Sequence, residues 1–326
     1  MAKHPATGNR IAGGLLKATF AIIVATFTFG CGGDGAGRTE FLSLGTAGTG
    51  GIYYPLGGAL ASRMSIRDST RQITAEVTGG SVENINRLAA GEMDIAMALP
   101  ITMYEAYAGG DAFPTPVTGL RIVAPLYPNL TQVMVGAGND AVSVADFRGQ
   151  KVAVGPPGSG TEQVARQTLE AHGLTYDDID ERFLSFAEAT AALKDRAIDA
   201  AVISVGYPAS SVLDAMTTGG IRLIALDESA RTQLLETYSY YAPGVIPAGA
   251  YPGIEEPIPT LAQVNWIIAM EDLDGEVVQL VLDILANELE VLTRVHPQAE
   301  QIDVSFLESG PIPLHSAAEA WLAGRR

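Results

Sequence analysis

A single cysteine in 326 residues, Cys31, excludes an intramolecular disulfide framework and any CxxC zinc or redox site. Basic residues are scarce as well: 20 Lys and Arg against 37 Asp and Glu give a net charge of −17. A nucleic-acid binder needs a basic face to meet phosphates, so that class is excluded. Beyond the first 30 residues no apolar run approaches the ~20 residues of a membrane-spanning helix. There is no GxSxG, HExxH or DxDxDG pattern. What is present is a globular composition, 47% hydrophobic and 17% charged, long enough for one large domain or two of ordinary size.

The first 30 residues carry Lys3, Arg10 and Lys17 and no acidic residue, and end in an apolar run of 13 from Ala18 to Gly30. This pattern is that of a secretory signal peptide, residues 1–30. Cys31 follows the small residue Gly30, as in a bacterial lipobox, where the thiol is acylated. Thr28 and Phe29 depart from the usual lipobox residues. Residues 31–39 are then a Gly-rich tether. Removing residues 1–30 takes away three basic residues and leaves 17 against 37, a net −20 over 296 residues. A surface of that charge repels anionic membranes, so only a tether would hold it near one.

Short apolar runs alternate with amphipathic stretches. Strands are expected at 40–45, 73–78, 94–99, 121–127, 132–138, 151–155, 199–203, 221–225 and 262–270, and helices at 55–64, 81–91, 159–173, 187–196 and 274–293. The alternation implies an α/β fold with largely parallel sheets. A strand, Gly-rich turn and helix occur at 44–62 and again at 152–169, which points to two lobes of related construction. Five prolines between 243 and 259 preclude a regular helix or a central strand there, leaving an ordered connector.

Four segments at strand ends carry the chemistry. Gly45-Thr-Ala-Gly-Thr-Gly-Gly-Ile-Tyr-Tyr-Pro55 precedes a helix, whose unpaired N–H groups and dipole favour an anion; Thr49, Gly50, Tyr53 and Tyr54 are its candidates. It matches neither GxGxxG nor a Walker loop. Gly155-Pro-Pro-Gly-Ser-Gly-Thr-Glu162 contains the capping box Ser159–Glu162, leaving the N–H groups of Gly160 and Thr161 for a carboxylate. In Thr78-Gly-Gly-Ser-Val-Glu-Asn84, Ser81 is an expected N-cap and Asn84 lies one turn inside. Ile203-Ser-Val-Gly-Tyr-Pro208 ends a strand and offers Ser204 and Tyr207. Ligands of open α/β sheets bind at such carboxyl ends. Each segment also has a plain reading as a tight turn or a capped helix. Their convergence says more than any one alone.

These segments, with Val245-Ile-Pro-Ala-Gly-Ala-Tyr251 and Ile312-Pro-Leu-His315, resemble the TAXI family, solute receptors of one class of TRAP transporters. The resemblance covers about residues 40–324. It implies a two-lobed periplasmic-binding-protein-like fold of type II, lobe 1 from 40–128 plus 261–326 and lobe 2 from 129–260. It also implies an interlobe cleft, no catalysis, no cofactor and no metal. It further implies a periplasmic location, a small carboxylate ligand such as glutamate or 2-oxoglutarate, and a sodium-driven TRAP permease as partner. Two departures stand out. Leu99 and Pro100 replace a polar pair that the family often carries, which makes the pocket less polar and leaves glutamate specificity behind. Ser316 to Ala318 replace a Pro-Gly-Ala, altering a helix start.

Two alternatives stay open. One is a sensor or ABC-type receptor of the same fold. The other is a secreted α/β hydrolase, for which Ser159 or Ser204 with His315 is the one pairing on offer. His172 beside Gly173 is explained by a helix C-terminus, His296 lies in a loop, and His315 falls at a helix start.

Overall fold

The computed structural model describes residues 39–325. The expected signal peptide, Cys31 and nearly all of the tether lie outside the described residues. The chain order is β1 (Glu40–Gly45), α1 (Tyr53–Arg67), β2 (Arg71–Glu76), α2 (Ser81–Ala89), β3 (Ile95–Ala98), α3 (Pro100–Ala108) and β4 (Leu120–Gly136). Next come β5 (Lys151–Ala153), α4 (Gly160–Ala171), β6 (Asp180–Arg182), α5 (Phe186–Lys194), β7 (Ala200–Val205), α6 (Ser210–Thr217) and β8 (Ile221–Ile224). The chain ends with α7 (Glu228–Thr237), β9 (Ala242–Ile246), β10 (Ile258–Met270), α8 (Gly275–Asn287), α9 (Leu289–Thr293) and α10 (Ser316–Ala323).

The sheet runs β2-β1-β3-β10-β4-β7-β5-β6, with β8 on β4 and β9 on β10. Its two outer blocks are parallel: β1 pairs with β2 and β3, and β5 with β6 and β7. The centre is antiparallel, because β4 and β10 run against their neighbours and against each other. The expectation of largely parallel sheets is therefore corrected to a mixed sheet. The two strands that pass between the blocks are joined by neither a βαβ crossover nor a parallel register. The βα openings at 44–62 and 152–169 fall one in each block, as β1–α1 and β5–α4.

Strand β4 joins two runs that the sequence separates. Pro125, inside the first run, and Pro128, between the two, remove ladder donors. Register shifts beside Trp266 and Ile267 absorb the interruption, and Pro125 sits opposite Trp266. Leu130 then pairs with both Ala262 and Val205, so one residue belongs to both halves of the sheet. The proline-rich stretch does contain a strand, β9, but β9 pairs only with β10, where Pro243 costs no second ladder.

The core follows burial on both sheet faces. Every residue of β3 and β7 is buried, which explains their unbroken apolar runs. Helix α1 buries Tyr53, Leu56, Gly57, Leu60, Ala61 and Met64, spaced by three and four. A Cβ on Gly57 would lie 2.5 Å from the Thr46 methyl, so the helix rests directly on the strand end. The expected helix 274–293 breaks between α8 and α9 at Glu288, whose carboxylate is drawn to Arg63 and Arg67 of α1. Helices α3, α6 and α7 were not legible as helices, and of α10 only the start at His315 was. In α3, Pro100 occupies the first turn, where its missing N–H costs nothing.

Candidate functional site

Four helix starts meet around a cavity of about 230 Å³, those of α1, α2, α4 and α5, with Leu99, the N-cap of α3, beside them. Two come from each outer block. The start of α2 lies against that of α4, where Gly158 O accepts from Val82 N and Glu83 N, both at 3.1 Å. Gly80 takes φ 121°, and a Cβ there would stand 3.3 Å from the Ser159 Cβ. The loop before α1 lies against α5 and α6. The Gly50 carbonyl accepts from Ser211 Oγ at 2.9 Å, and a Gly50 Cβ would meet Ala187 N at 3.1 Å.

The starts are finished differently. Ser159 Oγ accepts from Glu162 N at 3.2 Å and donates to Pro156 O at 2.7 Å. The expected capping box is only half made, because the Glu162 carboxylate turns to the Arg166 guanidinium and accepts the Tyr176 hydroxyl at 2.6 Å. At α5 the box is complete: Ser185 Oγ accepts from Glu188 N, and the Glu188 carboxylate accepts from Ser185 N. Ser81 is not the N-cap of α2. Gly80 holds that position, and Ser81 Oγ accepts from Leu99 N at 3.0 Å. Helix α1 has no side-chain cap and no acidic residue in its first turn.

The floor is a chain of neutral polar groups across the central strands. Tyr53 OH donates to Asn265 Oδ1 at 2.6 Å, and Asn265 Nδ2 donates to Tyr127 O and Asn129 Oδ1. Asn129 Nδ2 donates to Ser204 O at 2.9 Å. Tyr127 is fully buried and its hydroxyl has no hydrogen-bond partner. Burial pushes both the Tyr53 and Tyr127 phenols well above their ordinary range, so both are neutral. Leu99, Phe186 and Val205 supply apolar wall, and none of the described residues lining the cavity is charged.

Of the expected ligand residues, Thr49, Gly50, Tyr53, Ser81, Ser159, Gly160, Thr161 and Ser204 line this cavity. Three do not. Tyr54 is one helical step from Tyr53 and points to an outer groove with Ile66 and Gln72. Asn84 is fully buried and donates to Thr46 O and Met97 O, tying α2 to two strand ends. Tyr207 has its hydroxyl turned to the Gln301 side chain. Sequence reasoning missed Tyr127, Asn129, Ser185 and Phe186, while Leu99, expected to make the pocket less polar, lines it. Ser185–Glu188 is a capping-box signature that was there to find; Tyr127 and Asn129 lie mid-strand and carry no local signal.

Ser159 and Ser204 are not joined by a base. His315 lies outside the cavity lining, caps α10 through Nδ1 to Ala317 N, and is buried. His172 caps the end of α4, with Nδ1 2.6 Å from Thr168 O. Among the described residues no group of three or more His, Cys, Asp and Glu is placed to hold a metal.

A two-lobed α/β fold with its cavity at helix starts from both lobes is the type II fold of the periplasmic binding proteins. Solved structures share it. The periplasmic aliphatic sulphonate binding protein SsuA from Escherichia coli is 19% identical, over 87% of this chain and 83% of that one, with a TM-score of 0.50. A protein described as a periplasmic transporter is 15% identical, over 88% and 92%, at 0.54, and the periplasmic binding protein BugD is 13% identical, over 87% and 95%, at 0.53. The NMT1-like family matches residues 44–323, and the chain belongs to that family. A protein of Escherichia coli (strain K12) named for binding aliphatic sulfonates is 30% identical over 119 residues, 36% of this chain. That match spans about a third of the relative, 34% of its length.

Proposed function

We propose that this chain is an extracytoplasmic solute receptor that binds a small organic acid in the cavity and presents it to a membrane permease. The observation that carries the reading is the cavity's joint construction. Helix starts from both blocks surround it, that of α1 has no acidic residue in its first turn, and no described residue lining it is charged. A ligand touching both blocks favours the closed arrangement by its differential affinity. In this reading residues 40–128 with 261–326 form lobe 1, residues 129–260 form lobe 2, and β4 and β10 carry the hinge. The lining residues Thr49, Gly50, Tyr53, Ser81, Ser159, Gly160, Thr161 and Ser204 contact the ligand. Acylated Cys31 holds the protein at the periplasmic face of the membrane.

The TAXI-like motifs support a TRAP permease as partner and a carboxylate as ligand. The relative named for aliphatic-sulfonate binding favours a second reading, in which the acid is a sulfonate and the receptor is of ABC type. Mass spectrometry of what the purified protein releases on denaturation, followed by thermal shifts with the recovered compound, tests the reading. An organic acid that raises Tm when added back supports it. A neutral or cationic compound overturns the anion argument. Crosslinking to the permease separates the transporter types: an ATP-hydrolysing partner removes the TRAP reading.

A further inference from the structure

We propose that the cavity selects a monovalent organic acid with an apolar body, its anionic head seated at the start of α1 beside Tyr127. The proposal rests on the receptor reading and narrows it.

The helix starts are not equivalent. At α3, whose N-cap Leu99 also lines the cavity, Leu99 N is taken by Ser81 Oγ and Pro100 has no N–H to give. At α2, Glu83 folds back and accepts from Gly79 N at 2.7 Å. At α5, Glu188 does the same with Ser185 N at 2.9 Å. At α4, Ser159 occupies the Glu162 N–H and Glu162 itself lies in the first turn. Each of these last three ends therefore carries a carboxylate of its own, which opposes a second anion. Helix α1 has 15 residues, Ile52 as an N-cap without a capping side chain, and no acid in its first turn. In its first turn the N–H groups of Tyr53 and Tyr54 have no intrahelical acceptor; Pro55 has none to give, and Leu56 N donates to Ile52 O at 3.2 Å.

A second observation lies beside that end. Tyr127 lines the cavity, is fully buried, and leaves its hydroxyl unpartnered. Its ring stands 6.4 Å from that of Tyr53, the first residue of α1, in an edge-on arrangement. A buried hydroxyl without a partner is costly, and an anionic acceptor at the α1 start satisfies it. Tyr53 OH is already committed to Asn265, so Tyr127 is the tyrosine with a free donor.

The rest of the cavity excludes other acids. No lining carboxylate meets an ammonium group, so an amino acid would bury an unpaired cation. No lining Lys or Arg meets a second carboxylate. The walls beyond the head are Ile52, Leu99, Phe186 and Val205, which suit an aliphatic body.

The test is calorimetry on the full-length protein with pairs matched in chain length: butanoate against succinate, and pentanoate against glutarate and glutamate, with pentanesulfonate as the sulfonate arm. A monovalent acid is expected to bind about ten-fold or more tighter than its divalent or zwitterionic match. Tyr127→Phe is expected to weaken that acid by about ten-fold or more with unchanged circular dichroism. Either a carboxylate or a sulfonate as the tighter monovalent acid sustains the proposal. Succinate, glutarate or glutamate binding more tightly overturns it and leaves the receptor reading intact. Binding of none of these acids overturns both. Native affinity in Tyr127→Phe overturns the seat at α1, and the matched pairs on the unaltered protein decide the rest if the variant does not fold.

Discussion

Gly160 stands where a side chain has no room. A Cβ there would lie 2.7 Å from Thr102 Oγ1, 2.9 Å from Leu99 Cδ1 and 3.0 Å from Ser81 Oγ, all three in the other block. The sequence reading valued this glycine for backbone approach to a ligand; the geometry shows it is needed for approach of one block to the other. Gly160→Leu is expected to hold the blocks apart and raise the radius of gyration in small-angle scattering; an unchanged radius would show that the contact yields. Histidine chemistry also belongs to this scale. Burial holds both His296 and His315 below the ordinary histidine range, so both fold as neutral N-caps. With a depressed folded pKa, the unfolded chain binds the proton first as pH falls. Stability is therefore complete above the unfolded value of about 6.5 and declines as pH drops below it. His315→Asn keeps an N-cap acceptor without that titration. Between pH 7.5 and 5.5 its Tm is expected to fall less than that of the native protein, and parallel Tm curves would remove His315 from the account.

At the scale of elements, α3 and α4 are the pair that joins the blocks. Thr102 and Glu105 of α3 both bond the Gln163 side chain of α4, and Leu99, Ile101 and Val164 form a buried apolar cluster with Tyr240 against it. The residues that depart from the TAXI pattern, Leu99 and Pro100, thus begin a helix whose apolar end closes the contact. Gln163→Ala leaves Thr102 and Glu105 without that partner, a loss of about 1–3 kcal/mol for a buried polar group. Hydrogen exchange is expected to quicken in α3 and the first turns of α4 while β3 and β7 keep their protection. Uniform quickening would place the effect on global stability instead. Helix α3 was hard to read from its own residues because Leu99 and Ile101 extend the apolar run of β3, although Pro100 in the first turn is itself a helix-start signal.

For the molecule as a whole, charge and chemistry oppose each other. A net charge of −17 repels an anion at long range, while the start of α1, free of acidic residues, attracts it at short range. Salt screens the first more than the second, because the Debye length falls from about 30 Å at 0.01 M to about 8 Å at 0.15 M. The association rate of an acid that binds, followed by stopped flow, is therefore expected to rise with salt over that range. A falling rate would mean that a local positive field governs entry.

Much of the fold was legible before any coordinate. Repeated strand–glycine–helix openings, buried runs of six or so apolar residues and S-x-x-E caps are local signals, written in backbone freedom and side-chain period. They sufficed to name both blocks' βα starts and most of the cavity's glycines and hydroxyls. Strand direction, the union of two runs across Pro128, and the placing of Tyr127 and Asn129 beneath the helix starts were decided by pairing partners far along the chain. So was the separation of Tyr53 from Tyr54, which are neighbours in sequence and face opposite ways once α1 lies on its sheet. A residue's type and spacing set what it can bond; which bonds remain for a ligand depends on what the rest of the chain has already satisfied.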